Sequence, residues 1–403
     1  MLSRKLLLST LIYPSLIAVF PATAQAENPA EFATCVEQLK STALQQGISN
    51  TVVERDLAAV NYVERVIELD RRQPEFSESF ATYFERRVTE DRIVRGRELL
   101  AEHRSLLNRV SKEFGVPPQY LVAFWGLETN FGGFFGKMPV LDSLATLACD
   151  QRRSEYFTGE LINALKIIDE GSITASRMQG SWAGAMGHTQ FMPSVFLRYA
   201  IDYDGDDKRD LWGSLPDALA SAANFLRGIG WRKEERWGRE VKLPNGFAFE
   251  NAGLGQTLSL SQWSKLGVRQ ANGSALPRVD MKASLLVPSG HQGPAFLVYE
   301  NFHVIMRWNR AEAYALAVGH LADRINGAGK LSREPVQSPR LNRDQVMQLQ
   351  QALNEQGFAA GNADGVLGPG TRAAISRYQK SNGQIADGFP GKELLEQFGV
   401  VTE

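Results

Sequence analysis

Apolar side chains recur every three to four positions over residues 29–46, 91–114 and 117–128, and the chain reads as helical from 27 to about 175. Pro117 and Pro118 suit the first turn of the third stretch, and Gly132 and Gly133 suit its end. A glycine-rich segment, 180–187, then leads into Pro193 and a short helix, an aspartate-rich turn, and a helix over 215–226. From 242 to 304 the period changes to short β-branched runs such as 283–287 and 296–298, separated by Gly, Pro and Asn turns, which predicts a small β-containing part. Helical spacing returns at 311–325. Residues 331–341 carry two prolines and no apolar period, as an exposed linker does. Beyond it, 346–353 and 371–378 flank a turn-rich 364–370, predicting a small C-terminal three-helix module over 342–403 in which Thr371 caps a helix. The fold class expected is mainly α (α+β), in more than one folding unit.

The first 26 residues follow another logic. Arg4 and Lys5 precede an apolar run from Leu6 to Phe20, and Ala24-Gln25-Ala26 offers a small-residue cleavage site. This is the pattern of a secretory signal over 1–26; the alternative, a retained anchor, has a run short of the roughly 20 residues a bilayer span needs. No cysteine follows that could take a lipid, so the expected product is exported, soluble in the periplasm and free of a stable membrane span. With 44 Lys+Arg against 45 Asp+Glu there is no basic excess, and nucleic acid is not an expected partner. The two cysteines, Cys35 and Cys149, are permissive for a disulfide in an exported chain, and two buried free thiols remain the alternative. Five scattered histidines show no metal-ligand spacing, which disfavours a zinc peptidase.

One carboxylate stands out. Glu128 lies three, four and seven residues after Trp125, Phe124 and Leu121, on the apolar stripe and in the last turn of its helix. Desolvation and the negative end of the helix dipole both favour its protonated form, as a general acid for glycosidic cleavage requires. A helix-end Glu that reaches solvent or pairs with an arginine is the plainer alternative. Residues 180–194 mix small residues with Trp182, Met186, Phe191 and the neutral amide of Gln190, a set suited to sugar rings, although tightly packed turns would explain the glycines equally.

The segments 128–132 and 184–194 together closely resemble the B-type family of lytic murein transglycosylases, and the likeness extends from about 31 to 326. It implies a lysozyme-like, α-rich catalytic domain over 27–330 that cuts the MurNAc–GlcNAc β-1,4 bond of peptidoglycan glycan strands without water, giving 1,6-anhydroMurNAc ends. Glu128 would serve as acid and then base. Ser181, Met186, Gln190, Phe225, His303 and Trp308 match glycan-contacting positions, the last three departing from a tyrosine-rich pattern. The run from Asp202 resembles an EF-hand-like loop, with Asp202, Asp204, Asp206, Lys208 and Asp217 as ligands of a structural Ca²⁺. It departs at Asp207, where a glycine is usual, and at Gly213, where a glutamate is usual, so a solvated acidic turn is the competing reading. No cofactor is required for the chemistry itself. The C-terminal segment resembles the peptidoglycan-binding type 1 domain, implying a targeting role. Protein partners, such as cell-wall synthesis or division proteins, are not identified. Two rival functions stay open: a hydrolytic muramidase, and a non-catalytic wall-binding scaffold.

Overall fold

The computed structural model describes residues 29–72 and 78–400, so the signal expected at 1–26 lies outside the described residues. Among the described residues no helix is long and apolar enough to cross a membrane. In chain order, the first half contains α1 (Pro29–Gln45), α2 (Asn50–Val52), α3 (Glu64–Arg72), α4 (Phe80–Arg87), α5 (Glu90–Glu102), α6 (Arg104–Phe114), α7 (Pro118–Thr129), β1 (Met138–Pro139), α8 (Val140–Ala148), α9 (Ser154–Asp169) and β2 (Gln179–Gly180). There follow α10 (Pro193–Tyr199), α11 (Leu215–Gly228), β3 (Gly238–Lys242), β4 (Gly253–Ser259), α12 (Leu260–Lys265), β5 (Arg269–Gln270), β6 (Lys282–Leu286), β7 (Ala295–Val298), α13 (Glu300–Trp308) and α14 (Glu312–Ile325). The last three helices are α15 (Arg343–Glu355), α16 (Pro369–Ser381) and α17 (Lys392–Gln397).

α7 is the hub. Every residue from Tyr120 to Leu127 is buried, so this helix is apolar all round and is packed by α5, α6, α11 and α14, where the spacing predicts a single stripe. The helical period over 91–114 belongs to two helices, because His103 leaves the helical basin and closes α5 while opening α6. The period hides the bend because both helices turn their apolar faces to α7. α7 itself stops two residues before the glycines, at Asn130, whose left-handed φ of 50° is tolerated by a short polar side chain.

One apolar core gathers α4–α7, α11, α13 and α14, and a second gathers α1, α3, α8, α9 and α10. They meet at α11 and Trp308, which packs against both. Cys35 and Cys149 form a disulfide, Cα atoms 5.9 Å apart, that ties α1 to the end of α8. A five-stranded antiparallel sheet in the order β4-β6-β7-β3-β5 has its own core around Trp263, Leu285 and Tyr299. It begins at Gly238 and ends at Val298, not at 242 and 304. Residues 300–304 open α13 instead, since Asn301, Phe302, Val304 and Ile305 bury one helical face.

The C-terminal helices enclose a small core of Leu349, Leu353, Ile375 and Leu395. Thr371 is not the cap expected of it: Gly368 holds that position with Pro369 in the first turn. Thr371 is buried instead, its hydroxyl taking a hydrogen bond from Gln350 Nε2 at 3.0 Å. The module touches the sheet domain where Asp387 accepts from the His291 amide at 2.9 Å and faces its Nδ1 at 2.7 Å. The linker is held down as well, with the Ser332 hydroxyl on Glu240 at 2.7 Å and Gln337 on Glu85 at 2.9 Å.

The disulfide closes a loop with a sequence separation of 114 residues, so its removal leaves a much freer unfolded chain. Denatured, unreduced protein should show no free thiol, and Cys35→Ser/Cys149→Ser should lose about 3–5 kcal/mol in urea melts.

Candidate active site

Glu128 sits one residue before the end of α7, and its half-buried side chain projects between α13 and α14. Two donors from those helices converge on one of its oxygens. Trp308 Nε1–H donates to Oε1 at 2.9 Å, and the Tyr314 hydroxyl makes a short hydrogen bond to the same atom. Oε2 has no hydrogen-bond partner among the described residues, and it is not a sealed orphan, so it is the oxygen left to an incoming ligand. Burial raises the carboxyl to a pKa of about 7, against the pull of Tyr314, Trp308 and, more weakly, the Arg87 guanidinium. Arg87 is the sole charged group acting on it among the described residues. Because Oε1 accepts twice, the proton of the neutral acid belongs on Oε2.

An aromatic shell fixes this geometry. Phe124 meets Trp308 with ring centroids 4.4 Å apart, and Phe191 and Phe225 lie 5.5 and 5.1 Å from the same indole. Tyr83, with its phenol pushed up to about 12 by burial, lies within electrostatic reach of Glu128 under the Arg87 guanidinium.

The segment 180–191 is a looped strap across the second core. Met186 pairs both ways with Phe191 through backbone hydrogen bonds of 2.9 and 3.0 Å. Gly187 turns at φ 66°, and a Cβ there would stand 2.6 Å from the Leu211 carbonyl oxygen, so a side chain would break the strap. His188 locks strap to α7: its Nδ1 accepts from Trp125 Nε1–H at 2.9 Å, and its carbonyl accepts from the Thr129 hydroxyl at 3.1 Å. Burial lowers His188 to about 4, so the ring is neutral, with its proton on Nε2.

The expected glycan contacts divide. Ser181 is half-buried, with its hydroxyl accepting from the amides of Ala183 and Ala185 at 3.3 and 3.0 Å. Gln190, strained at φ 49°, donates its amide to the carbonyls of Phe135 and Gly187, both at 3.0 Å. Trp308 reaches Glu128 directly, and Phe225 buttresses Trp308. Met186 is fully buried in the second core, so it packs where glycan contact was expected. His303 lies five residues before Trp308 on α13, about 140° around the helix from it, and its ring meets Phe302. Tyr314 was missed. The available signal was a single tyrosine in the apolar run 313–318, since a buried hydroxyl needs a partner.

The acidic loop brings together some of the residues expected as ligands and not others. Asp202, Asp204 and Asp217 bring carboxylate oxygens within 4.8 Å of one another, while the Asp206 carboxylate accepts from the Lys208 amide at 2.9 Å. Asp207 takes the left-handed φ of 65° that a glycine usually supplies. Asp217 is fully buried and accepts from the amides of Tyr203 at 2.8 Å and Asp210 at 2.9 Å.

The transglycosylase SLT domain model matches residues 31–323, and a peptidoglycan binding domain model matches 342–398. The chain belongs to the SLT transglycosylase family. It is 35% identical over 254 residues to membrane-bound lytic murein transglycosylase B of Escherichia coli, a match over 60% of this chain and 66% of that protein's length. Crystallised SltB3 of Pseudomonas aeruginosa, in complex with NAG-anhNAM-pentapeptide, is 42% identical with a TM-score of 0.88, covering 91% of this chain and 99% of that one. The lytic transglycosylase Slt35 of E. coli, in complex with calcium, is 29% identical at a TM-score of 0.63, over 72% of this chain and 92% of its own.

Tyr314 and Trp308 both favour the charged form of Glu128, so removing either donor should raise its pKa further. In Tyr314→Phe, ¹³C NMR titration of the Glu128 carboxyl should place its midpoint about one unit above that of the unmodified protein.

Proposed function

We propose that this protein is a lytic transglycosylase that cleaves the MurNAc–GlcNAc β-1,4 bond of peptidoglycan with Glu128 as its acid and base. The observation that carries this reading is the half-buried carboxyl with a pKa of about 7, anchored through Oε1 and open at Oε2. In the first step the Oε2 proton passes to the glycosidic oxygen, and the C1–O bond breaks with its electron pair going to that oxygen. Oε1 keeps its two donors, which stabilise the carboxylate just formed. In the second step the muramoyl C6 hydroxyl oxygen attacks C1 and its proton returns to Oε2. The acid is regenerated, no water is consumed, and the product is a 1,6-anhydro ring. No second carboxylate acts on Glu128 among the described residues, which fits a mechanism needing neither a base for water nor a carboxylate nucleophile. The complex of the P. aeruginosa relative with an anhydro product supports the same outcome here.

The remaining roles follow from position. Ser181 and Gln190 border the cleft with half-buried polar groups, and Trp308 and Phe225 supply its aromatic wall. The C-terminal module holds the enzyme on the wall, raising its effective concentration there. Export by the segment 1–26 delivers it to the periplasm, where its substrate lies. The acidic loop takes a structural Ca²⁺, as the E. coli relative crystallised with calcium suggests. Three carboxylates within 4.8 Å form a hard-oxygen donor set that fits this ion, with Lys208 offering its carbonyl. The ion takes no part in bond cleavage.

Digestion of purified sacculi should release 1,6-anhydromuropeptides detectable by mass spectrometry. Glu128→Gln should lower the rate by at least about 10³-fold, and a reducing MurNAc end would instead mark a hydrolase. Because Glu128 must start protonated, kcat/KM should fall as pH rises through about 7. The same raised pKa predicts a stability effect. The folded protein holds this proton between the ordinary 4.5 and about 7, so stability is lost as pH rises through that window, and Glu128→Gln should melt higher than wild type at pH 8. Millimolar Ca²⁺ should raise Tm by about 2–4 °C, and Asp204→Asn should reduce the response.

A further inference from the structure

The C-terminal module contains one turn built twice. Ala363-Asp364-Gly365-Val366-Leu367-Gly368 leads into α16, and Ala386-Asp387-Gly388-Phe389-Pro390-Gly391 leads into α17. A buried glutamine of the preceding helix holds each turn. Gln350 Oε1 accepts from the Gly365 amide at 2.9 Å, and its Nε2 donates to Asp364 Oδ1 at 2.9 Å and to the Val366 carbonyl at 3.1 Å. Gln379 repeats this with the Gly388 amide at 2.8 Å, Asp387 Oδ1 at 3.0 Å and the Phe389 carbonyl at 3.4 Å. In both turns Oδ1 also accepts the amide two residues on, from Val366 at 2.9 Å and from Phe389 at 3.0 Å. The glycines match as well, at φ 75° and 70°. What each turn leaves over is aspartate Oδ2 and the apolar side chain after the glycine.

In the second turn the sheet domain covers both. Asp387 Oδ2 accepts from the His291 amide at 2.9 Å and from its ring Nδ1 at 2.7 Å, and the Asp387 side chain is only 4% exposed. A Cβ added at Gly290 would stand 3.0 Å from the Phe389 side chain and 2.9 Å from Asp387 Oδ2, so the covering loop needs glycine there. The remaining bridge, Lys380 to Glu250 at 3.3 Å, joins exposed side chains and adds little. A glycine followed by a residue with two N–H donors is therefore what this turn recognises.

In the first turn both groups are open. Asp364 Oδ2 has no hydrogen-bond partner among the described residues, and Val366 is 50% exposed. The Gln350 and Val366 donors hold the Asp364 carboxyl below the usual carboxylate range, which keeps it charged as an acceptor. The neighbouring cation, Arg343, directs its Nε to the Asp364 carbonyl at 3.2 Å and not to the carboxylate. Its charge disfavours an ammonium ligand and favours uncharged N–H donors.

We infer that the turn at 364–366 is a docking site for a glycine-histidine turn of another protein, with backbone and imidazole N–H groups on Asp364 Oδ2 and the glycine on Val366. The second turn shows that contact filled by the chain's own residues 290 and 291. A second copy of this chain is not the partner, because its own loop is covered in the same way.

The probe is a head-to-tail cyclic peptide of residues 287–294 with fluorescein on one added lysine, titrated with the full chain and read by anisotropy; cyclisation keeps the turn in shape. It should saturate one site with a Kd below about 1 mM. Asp364→Asn keeps the Oδ1 acceptor and turns Oδ2 into a donor, so affinity should fall at least about 10-fold with Tm unchanged. Val366→Ser, at an exposed position, should weaken binding about 3-fold and decides the matter should Asp364→Asn lower Tm. Asp387→Asn, in the filled turn, should leave the affinity as it was. No saturation at about 5 mM peptide overturns the inference. Equal affinity in both first-turn variants does so too, as does equal affinity for a peptide with alanine in place of the histidine. A soluble muropeptide that binds through Asp364 where the cyclic peptide does not gives the turn to the wall and overturns it as well.

Discussion

The whole arrangement depends on letting one carboxyl group hold its proton up to about pH 7, where an ordinary glutamate is ionised, while leaving one of its oxygens accessible. Water would ionise Glu128, so the chain surrounds it with apolar walls: α7, buried on every side, and the rings of Phe124, Phe191, Phe225 and Trp308. A neutral acid in such a place still needs its rotamer fixed, and two donors on Oε1 do this without offering a full charge. The same donors favour the carboxylate form, and burial opposes them. A lysine or arginine in place of Tyr314 would hold the side chain as firmly and would ionise it before any substrate arrived.

This requirement explains why two cores meet at the site. Glu128 and its donors belong to the first core, whereas the strap over 180–191 belongs to the second, and Trp308 and α11 are shared. His188 is the rivet between them, and it works because burial keeps the imidazole neutral, so that Nδ1 can accept from Trp125. Three of the five non-glycine residues at positive φ among the described residues gather here too. Asn130, Phe131 and Gln190 hold φ between 49° and 60°, and each lies on a segment that borders the cleft.

Much of this was legible in the chain. The spacing of Glu128 from Trp125, Phe124 and Leu121 placed a carboxyl among apolar neighbours, and it lies there. The pattern could not tell a stripe from a helix buried all round, because that depends on how many neighbours pack against it. Nor could it find Tyr314, 186 positions away on another helix, since periodicity is a local signal and the Tyr314–Glu128 bond is a product of topology. His303 and Met186 show a related limit: matching positions fix a residue's place along an element, while the angle around a helix or the depth of a strap decides what the side chain packs against. Thr371 looked like a cap because threonine caps often, yet Pro369 two residues earlier had already started the helix.

The distribution of charge follows from the first constraint. Peptidoglycan is an anionic polymer, and an enzyme that acts on it gains from cations, yet any cation close to Glu128 depresses the pKa on which the proposed acid step relies. The chain resolves this by distance. Around the carboxyl stand phenol, indole and phenyl groups, and the arginines are placed at the rim: Arg87 over the outer face of Tyr83, Arg92 and Arg95 along a groove beyond Asn130. Arg87 lowers the carboxyl's pKa only as the smallest of three opposing influences, and desolvation still outweighs all of them. The carboxyl group and the arginines thus occupy adjoining but electrostatically separate ground. The turn at Asn130 and Phe131, both in the left-handed region, lies between them.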